Sequence, residues 1–210
     1  MRRSPDRLKK QLMKYIKTIE SIPDDFRLQA HILSHFHKLD EAYKKLLSVN
    51  YDINNEEIKT KLSMTGSKFN EGFAINPIAL CEKILTGYKS FPKTIIERET
   101  TIDIVISYPQ ETYKSGIGLD GIININELSE KEKLNIKTKT REGFPIKMLS
   151  KKQKPTWELN ILLDNNPDNK YFTKTIFPGK YAPPFPNKEI QAKSEFIISF
   201  EFWDKHIFLI

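Results

Sequence analysis

Cysteine and long apolar runs are scarce in this sequence of 210 residues. Its single cysteine, Cys81, excludes an internal disulfide framework and any zinc site built from several cysteines. No apolar run approaches the roughly 20 residues that a helix needs to span a bilayer. The N-terminal segment MRRSPDRLKKQLMKYIK is basic but has no apolar stretch behind it, so it does not have the form of a secretory signal. We therefore expect a cytoplasmic protein that does not enter a membrane.

Positive charge is in excess, with 34 lysine and arginine residues against 27 acidic residues and a formal net charge of +7. Excess positive charge favours polyanionic partners such as nucleic acid, because bound phosphates release their counterions. A coding bias toward AT-rich codons, which raises the content of lysine, asparagine and isoleucine, gives the same composition without any such partner. Net charge alone does not separate the two explanations.

The first part of the chain divides into a predicted helical hairpin, residues 1–50, and a linker or irregular polar segment, residues 51–75. Apolar residues recur at helical spacing on both sides of a break, which predicts two antiparallel helices. The second of them is predicted over residues 26–47. His31 and His35 share one of its faces, but their segment HILSH lacks the glutamate of a zinc-protease motif, so we predict no metal site. The predicted helix contains three histidines: His31, His35 and His37.

Residues 76–210 are predicted to form an α+β domain, a mainly antiparallel sheet with covering helices. Asn76 and Pro77 are typical of a helix start, and the helix that follows buries Cys81 in the core, where it is not a nucleophile. The segments TIDIVIS and WELNILLD alternate apolar and polar residues, as half-buried strands do. The turn NNPDN joins WELNILLD to KYFTKTIF as a hairpin. The nearly apolar EFIISFEFWDKH predicts a helix that is buried on most sides and is followed by a terminal strand.

The glycine-rich hexapeptide GIGLDG, residues 116–121, matches the letters of a dinucleotide-binding loop but not its context. Such a loop leaves a strand and opens a helix whose N-terminus holds the pyrophosphate. Here the isoleucine-rich run IININ follows, which favours a strand. We therefore predict a flexible turn and no cofactor. Because glycine lets a ligand approach the backbone, the neighbouring Tyr113, Lys114 and Asp120 can still line a cleft.

A strongly basic segment precedes the hairpin, and within it Lys137, Lys139 and Arg141 alternate along the predicted strand IKTKTRE. Alternate residues of a strand project from one face, so the three would form a row of cations about 7 Å apart. That spacing is comparable to the spacing of successive phosphates on a strand of nucleic acid. The other explanation is an edge strand whose lysines prevent it from pairing with another sheet.

The candidate catalytic residues lie near the C-terminus. Thr173 and Thr175 alternate with aromatic residues on the strand YFTKTIF, an arrangement that suits a phosphate and a base but that ordinary strand threonines also give. Lys180 and Tyr181 follow a Pro-Gly turn and precede a stiff proline-rich loop. His206 follows the C-terminal helix. It is a candidate for proton transfer at neutral pH, or a histidine that only forms a hydrogen bond at the helix end.

The late strand TKTIFPG, preceded by the basic strand, resembles the superfamily of small toxin ribonucleases that includes barnase, EndoU, colicin and RelE members. The resemblance covers residues 100–210 and implies a helical part followed by a four- or five-stranded sheet. It also implies catalysis by histidine, lysine or arginine and hydroxyl residues at the open face of that sheet. Carried over to this chain, it points to Thr173 and Thr175 on the late strand and to Lys139 and Arg141 as phosphate binders.

The leading hypothesis is a basic, nucleic-acid-directed protein of the toxin-like, metal-independent ribonuclease class, with RNA as its partner. In it, His206 acts as general acid or base, Thr175 donates a hydrogen bond in the transition state and Lys180 positions the phosphate. The residues expected to contact nucleic acid are Lys137, Lys139, Arg141, Thr173 and Tyr181. The competing hypothesis is a non-catalytic module that binds another protein through the N-terminal helices and the proline-rich loop.

Overall fold

The computed structural model describes residues 32–50, 54–64, 66–98, 101–141, 143–165, 171–188, 191 and 193–210. The predicted first helix of the hairpin and His31 lie outside the described residues. Within them the chain forms five α-helices and eleven β-strands.

The helices are α1 (Glu41–Asn50), α2 (Asn55–Leu62), α3 (Pro77–Ser90), α4 (Glu130–Lys133) and α5 (Lys193–Lys205). The strands are β1 (Lys68–Phe69), β2 (Lys93–Glu97), β3 (Thr101–Ser107), β4 (Gly118–Asp120), β5 (Ile122–Asn124), β6 (Lys137–Arg141), β7 (Phe144–Leu149), β8 (Lys154–Thr156), β9 (Glu158–Asn165), β10 (Tyr171–Pro178) and β11 (His206–Leu209).

The strands form three sheets in the described part of the chain. The central sheet has the order β10-β9-β3-β2 and is antiparallel throughout, and it contains the predicted hairpin of β9 and β10. The second sheet has the order β5-β11-β7-β6, in which β11 runs parallel to β7 and the other pairs are antiparallel. A small third sheet has the order β1-β4-β8. Helices and mainly antiparallel sheets together make this an α+β fold, as the sequence predicts.

The predicted helix over residues 26–47 does not continue through His35 and His37. His35 lies in a turn, and α1 begins only at Glu41. The carboxylate of Asp40 accepts a hydrogen bond from the backbone N–H of Tyr43 at 2.9 Å, the interaction of a helix N-cap. Asp40 is therefore a start signal within the apolar pattern. His35 Nδ1 lies instead 2.8 Å from the carbonyl oxygen of Ser67.

The main core lies between α3 and one face of the central sheet. As predicted, α3 begins with Asn76, whose side-chain oxygen accepts from the N–H of Ala79 at 2.9 Å, and with Pro77 in its first turn. Ten core residues of the sheet and α3 are each at most 2% exposed: Leu80, Cys81, Ile84, Ile102, Ile104, Ile106, Leu159, Ile161, Leu163 and Ile176. A smaller core belongs to the second sheet and contains Ile123, Leu128, Leu149, Ile207 and Leu209.

Helix α5 is less buried than its apolar sequence predicts. Its buried side, which contains Ser199 and Trp203, faces the proline-rich loop and β11. Three large apolar side chains on its other sides are 43–47% exposed: Ile197, Ile198 and Phe200. An apolar sequence does not itself say how many sides of a helix are covered. Within the described residues, no helix has both the length and the apolar character needed to cross a membrane.

Candidate functional site

The turn after β10 fixes the position of Lys180. Gly179 has a φ of +121°, a left-handed conformation that favours glycine, and a Cβ there would lie 2.9 Å from Asp120 Oδ1. The backbone N–H of Gly179 donates to the carbonyl of Glu158 at 2.9 Å, and that of Lys180 donates to Asp120 Oδ2 at 3.2 Å. The side-chain amide of Asn160 donates to the carbonyl of Gly179 at 2.6 Å. Contacts from β4 and β9 therefore hold this turn in one conformation.

Lys180 interacts electrostatically with three carboxyl groups and a histidine, and we call the five residues the Lys180 cluster: Asp120, Glu127, Glu158, Lys180 and His206. Asp120 ends β4, Glu158 begins β9 and His206 begins β11, so each of the three sheets contributes to it. Lys180 Nζ lies 3.7 Å from Glu127 Oε1. The charge of Lys180 also acts on the pKa of Asp120, of Glu158 and of His206. The cluster therefore lies where the three sheets meet.

Two carboxyl groups of the cluster are shifted toward their protonated form. Burial raises the pKa of Asp120 and the pKa of Glu158. In Glu158 the neighbouring charge of Asp120 adds to the effect of burial, because two adjacent carboxylates disfavour each other's ionised form. A carboxyl group with a raised pKa is a better proton donor near neutral pH than an ordinary one.

His206 is held as a proton acceptor. Its Nδ1 lies 2.6 Å from the carbonyl oxygen of Phe202, and the two rings stack with centroids 3.9 Å apart. Because a carbonyl can only accept, Nδ1 carries the hydrogen and the lone pair is on Nε2. Burial lowers the pKa of His206 from its usual 6.5, and the charge of Lys180 lowers it further. The imidazole is therefore neutral at pH 7.

The Lys180 cluster contains a base, His206, a cation, Lys180, and two carboxyl groups whose pKa is raised. These are the groups that general acid–base catalysis and charge stabilisation require. The sequence singled out Lys180 and His206 as catalytic candidates and Asp120 as a cleft residue. It gave no signal for Glu127 or Glu158, because their approach depends on how the strands pair. Within the described residues, no group of three or more histidine, cysteine, aspartate or glutamate side chains is placed to hold a metal ion.

Thr175 and Tyr181 lie on the side of the central sheet away from α3, which we call the polar face. The buried polar side chains of this face are Thr101, Asp103, Asn160 and Thr175. Asp103 Oδ2 accepts from the Tyr181 hydroxyl at 2.7 Å and from Arg98 Nε at 3.1 Å. Burial raises the pKa of Tyr181, and its bond to Asp103 adds to the effect. The Tyr181 hydroxyl therefore donates its hydrogen bond to Asp103, within the protein.

Thr175 forms no hydrogen bond with the Lys180 cluster, and the side chain of Thr173 lies outside the described residues. The Thr175 hydroxyl is buried and forms no hydrogen bond within the described residues. The strand register shifts between Thr173 and Thr175, which pair with the consecutive residues Leu163 and Leu162. Consecutive residues of β9 point to opposite faces. The strand therefore lacks the regular alternation that the prediction of one shared threonine face requires, because a bulge interrupts it.

The basic strand β6 lies at the edge of the second sheet, the sheet that also contains His206. Lys137 and Lys139 are exposed, and β6 pairs with β7 so that Arg141 lies opposite Phe144. The edge position fits the explanation that lysines protect the strand. It also leaves Lys137 and Lys139 open to solvent.

A cleft of about 450 Å³ lies beside the glycine-rich segment, and Tyr113 and Lys114 line it. The Tyr113 ring packs edge-on against Phe73 and Tyr108, with centroids 5.6 and 5.2 Å apart, so this residue belongs to the core. Asp120, the third residue expected here, belongs to the Lys180 cluster. Among the described residues, Lys114 is the one charged side chain that lines the cleft, and no acidic side chain lines it beside this lysine.

The proline-rich loop packs against α5. Trp203 Nε1 donates to the carbonyl oxygens of Pro183 at 2.9 Å and Pro184 at 3.2 Å, and the ring of Phe185 stacks on the indole with centroids 4.5 Å apart. Pro183 and Pro186 are buried. The loop thus covers one side of α5, and two of its prolines are buried inside the protein rather than exposed on its surface.

Comparisons with known proteins give no family. No family model matches the chain, and no curated protein matches it. Among solved structures, a conserved hypothetical protein from Toxoplasma gondii ME49 is similar, with 11% sequence identity, coverage of 68% of this chain and 88% of that chain, and a TM-score of 0.44. A similarity this distant supports no statement about function.

Proposed function

We propose that the protein is a nucleic-acid-directed, metal-independent ribonuclease in which His206 and Lys180 are catalytic. The observation that supports the proposal best is that Lys180 lies 3.7 Å from Glu127 Oε1 and that the charges of both act on the pKa of His206, which comes from a different segment of the chain. The lysines of β6 belong to the same sheet as His206, and the net charge of +7 favours a polyanionic substrate.

The reaction that suits this set of groups is transesterification of RNA. His206 Nε2 removes the proton of a ribose 2′-hydroxyl, whose oxygen forms a bond to phosphorus while the bond from phosphorus to the 5′-oxygen breaks. The ammonium group of Lys180 stabilises the negative charge that grows on the phosphoryl oxygens. Glu158, with its raised pKa, donates a proton to the leaving 5′-oxygen. The products are a 2′,3′-cyclic phosphate and a 5′-hydroxyl.

The experiment that tests the proposal is cleavage of a single-stranded oligoribonucleotide by the full chain in the presence of EDTA. We expect 2′,3′-cyclic phosphate ends from the wild type and a loss of rate of about 100-fold or more in both His206→Ala and Lys180→Ala. The matched control is Lys89→Ala, which removes an exposed lysine at the end of α3 and should cleave at the wild-type rate.

A second control separates chemistry from folding. A substrate with 2′-deoxyribose throughout should resist cleavage, because it lacks the attacking oxygen. Thermal unfolding of each variant shows whether a lost rate reflects a lost fold. No cleavage by the wild type, or equal rates for the wild type and His206→Ala, contradicts the proposal, and so does cleavage of the deoxy substrate.

A further inference from the structure

Strand register places the lysine row of β6 on the same side of the second sheet as α5. Lys137 pairs with Met148, Lys139 with Ile146 and Arg141 with Phe144. Residues directly opposite each other in an antiparallel pair project from the same face.

The ring of Phe144 lies edge-on to that of Phe200 in α5, with centroids 5.8 Å apart, so α5 covers this face. The lysine row therefore borders the side of α5 that contains Phe200. We call the surface formed by Lys137, Lys139, Phe144, Ile197 and Phe200 the β6–α5 face.

The apolar part of the β6–α5 face is open to solvent. Phe200 is 46% exposed and Ile197 is 43% exposed. They lie three residues apart on α5 and so on neighbouring parts of its surface. Phe196 extends the aromatic strip, with its ring centroid 6.0 Å from that of Phe200. A cluster of large apolar side chains on a protein surface often marks a binding site, whereas a single exposed apolar side chain does not.

The lysines of the β6–α5 face have no acidic partner among the described residues. Within the described part of the chain, neither Lys137 nor Lys139 forms a salt bridge, whereas other lysines of the same basic segment do: Lys133 with Glu130, Lys147 with Asp204 and Lys151 with Glu132. Unpaired lysines about 7 Å apart beside an exposed ring match the spacing and the chemistry of a single-stranded polyanion that carries stacking bases.

We propose that the β6–α5 face binds single-stranded RNA, with Phe200 stacking on a base and Lys137 and Lys139 contacting successive phosphates. This inference rests on the proposed function, whose substrate it names. Phe208 of β11 pairs with Met148, which pairs with Lys137, so the lysine row lies two strand spacings, about 10 Å, from the strand that begins with His206.

The experiment is fluorescence anisotropy with a labelled single-stranded oligouridylate of about 12 nucleotides, on the full chain with His206→Ala to prevent cleavage. Adding Phe200→Ala should weaken binding about tenfold, the usual contribution of one stacked base. Adding Lys137→Ala and Lys139→Ala should lower the slope of log affinity against log salt by about 1.4, since each phosphate contact on a single strand contributes about 0.7. The matched control is Ile198→Ala, which is 47% exposed on another side of α5 and should leave binding unchanged.

The possible outcomes separate this inference from the proposed function. Binding that depends on Phe200 in a chain whose wild type does not cleave RNA supports the face and contradicts the ribonuclease. Cleavage that depends on His206, together with unchanged binding by the Phe200 and lysine variants, supports the ribonuclease and contradicts RNA binding by the β6–α5 face. Equal losses in Phe200→Ala and Ile198→Ala, or tighter binding of duplex than of single strands, overturn the inference. A dimer that dissociates on Phe200→Ala and binds no RNA would assign the face to a second copy of the chain and overturn it as well.

Discussion

Tyr181 donates its phenolic hydrogen to Asp103 Oδ2 at 2.7 Å, and this bond ties the segment after β10 to an inner strand of the central sheet. Arg98 Nε donates to the same oxygen at 3.1 Å, and the carboxylate is only 2% exposed. Because Tyr181 follows Lys180 directly, the bond also limits the direction in which Lys180 can leave its turn. A buried polar contact outside the Lys180 cluster thus helps to position its central cation.

Tyr181→Phe should lower the free energy of unfolding by about 1–3 kcal/mol, because it removes a hydrogen bond to a buried charged acceptor. Urea denaturation measures the change. The control is Tyr113→Phe, since that ring packs in the core while its hydroxyl forms no hydrogen bond within the described residues. The control should change by less than about 0.5 kcal/mol. Equal losses in the two variants would mean that the bond to Asp103 contributes nothing to stability.

Gly179→Ala should lower the free energy of unfolding by about 1–3 kcal/mol and reduce RNA cleavage about tenfold or more. An added Cβ is strained at φ +121° and would also lie 2.9 Å from Asp120 Oδ1, so the turn must shift and displace Lys180. Gly143→Ala is the matched control, because Gly143 has a φ of +80° but no atom within 4 Å of the added Cβ. Gly143→Ala should lower the free energy of unfolding, because its backbone conformation is strained, and should leave RNA cleavage unchanged. Loss of cleavage in both variants would exclude the contact with Asp120 as the cause.

Local chemistry predicted most elements of the fold. The start of α3 could be read from Asn76 and Pro77, because an amide cap and a proline in the first turn act within a few residues. The pairing of β9 with β10 follows from a turn and two flanking strands. The break before α1 was missed because Asp40 is a short-range cap within a longer apolar pattern. The apolar spacing predicts one continuous helix there, whereas the cap predicts a new helix start, and the structure has the new start.

The candidate site could be predicted only in part, because its parts meet through tertiary packing. Lys180 and His206 were identified by residue type and position, but Glu127 and Glu158 become partners only when three sheets come together. Asp103 alternates with isoleucines as a solvent-facing residue would, yet it is 2% exposed. Alternation predicts which residues share a face and does not predict whether the second face is covered. The same limit explains why α5 was expected to be buried on most sides.

Lys68→Met should lower the free energy of unfolding by about 2–4 kcal/mol. Lys68 is 8% exposed, and its Nζ donates to the carbonyl oxygens of Ser34 at 2.5 Å, Phe36 at 3.2 Å and Leu62 at 2.9 Å. Burial lowers the pKa of Lys68 to about 8, so the ammonium group with its three donors is the main form at pH 7. Methionine keeps most of the volume and leaves three carbonyl groups without their donor.

The control for this variant is Lys89→Met at an exposed position, which should change the free energy of unfolding by less than about 0.5 kcal/mol. Guanidinium denaturation of both variants measures the difference. If Lys68→Met is as stable as the wild type, the three carbonyl groups find other donors, and the segment from Ser34 to Phe36 does not depend on the lysine.

The titration of His206 should report the Lys180 cluster without any cleavage assay. Burial is the largest cause of its lowered pKa, the charge of Lys180 adds to it, and the charge of Glu127 opposes it. Lys180→Ala should therefore raise the pKa of His206 toward 6.5, and Glu127→Gln should lower it further. The chemical shift of the His206 Cε1 proton as a function of pH measures both changes, with Lys89→Ala as the control that leaves the pKa in place.

The same lowered pKa fixes the sign of the pH dependence. Because the folded-state pKa of His206 lies below the unfolded value of 6.5, the unfolded state binds more protons between the two values. The contribution of His206 to stability is therefore complete above pH 6.5 and is lost as the pH falls through 6.5 toward the folded-state pKa. Cleavage needs the lone pair of neutral Nε2, so its rate should fall as the pH drops through the folded-state pKa. If neither Lys180→Ala nor Glu127→Gln moves the pKa of His206, the charges are not adjacent, and the Lys180 cluster does not exist in solution.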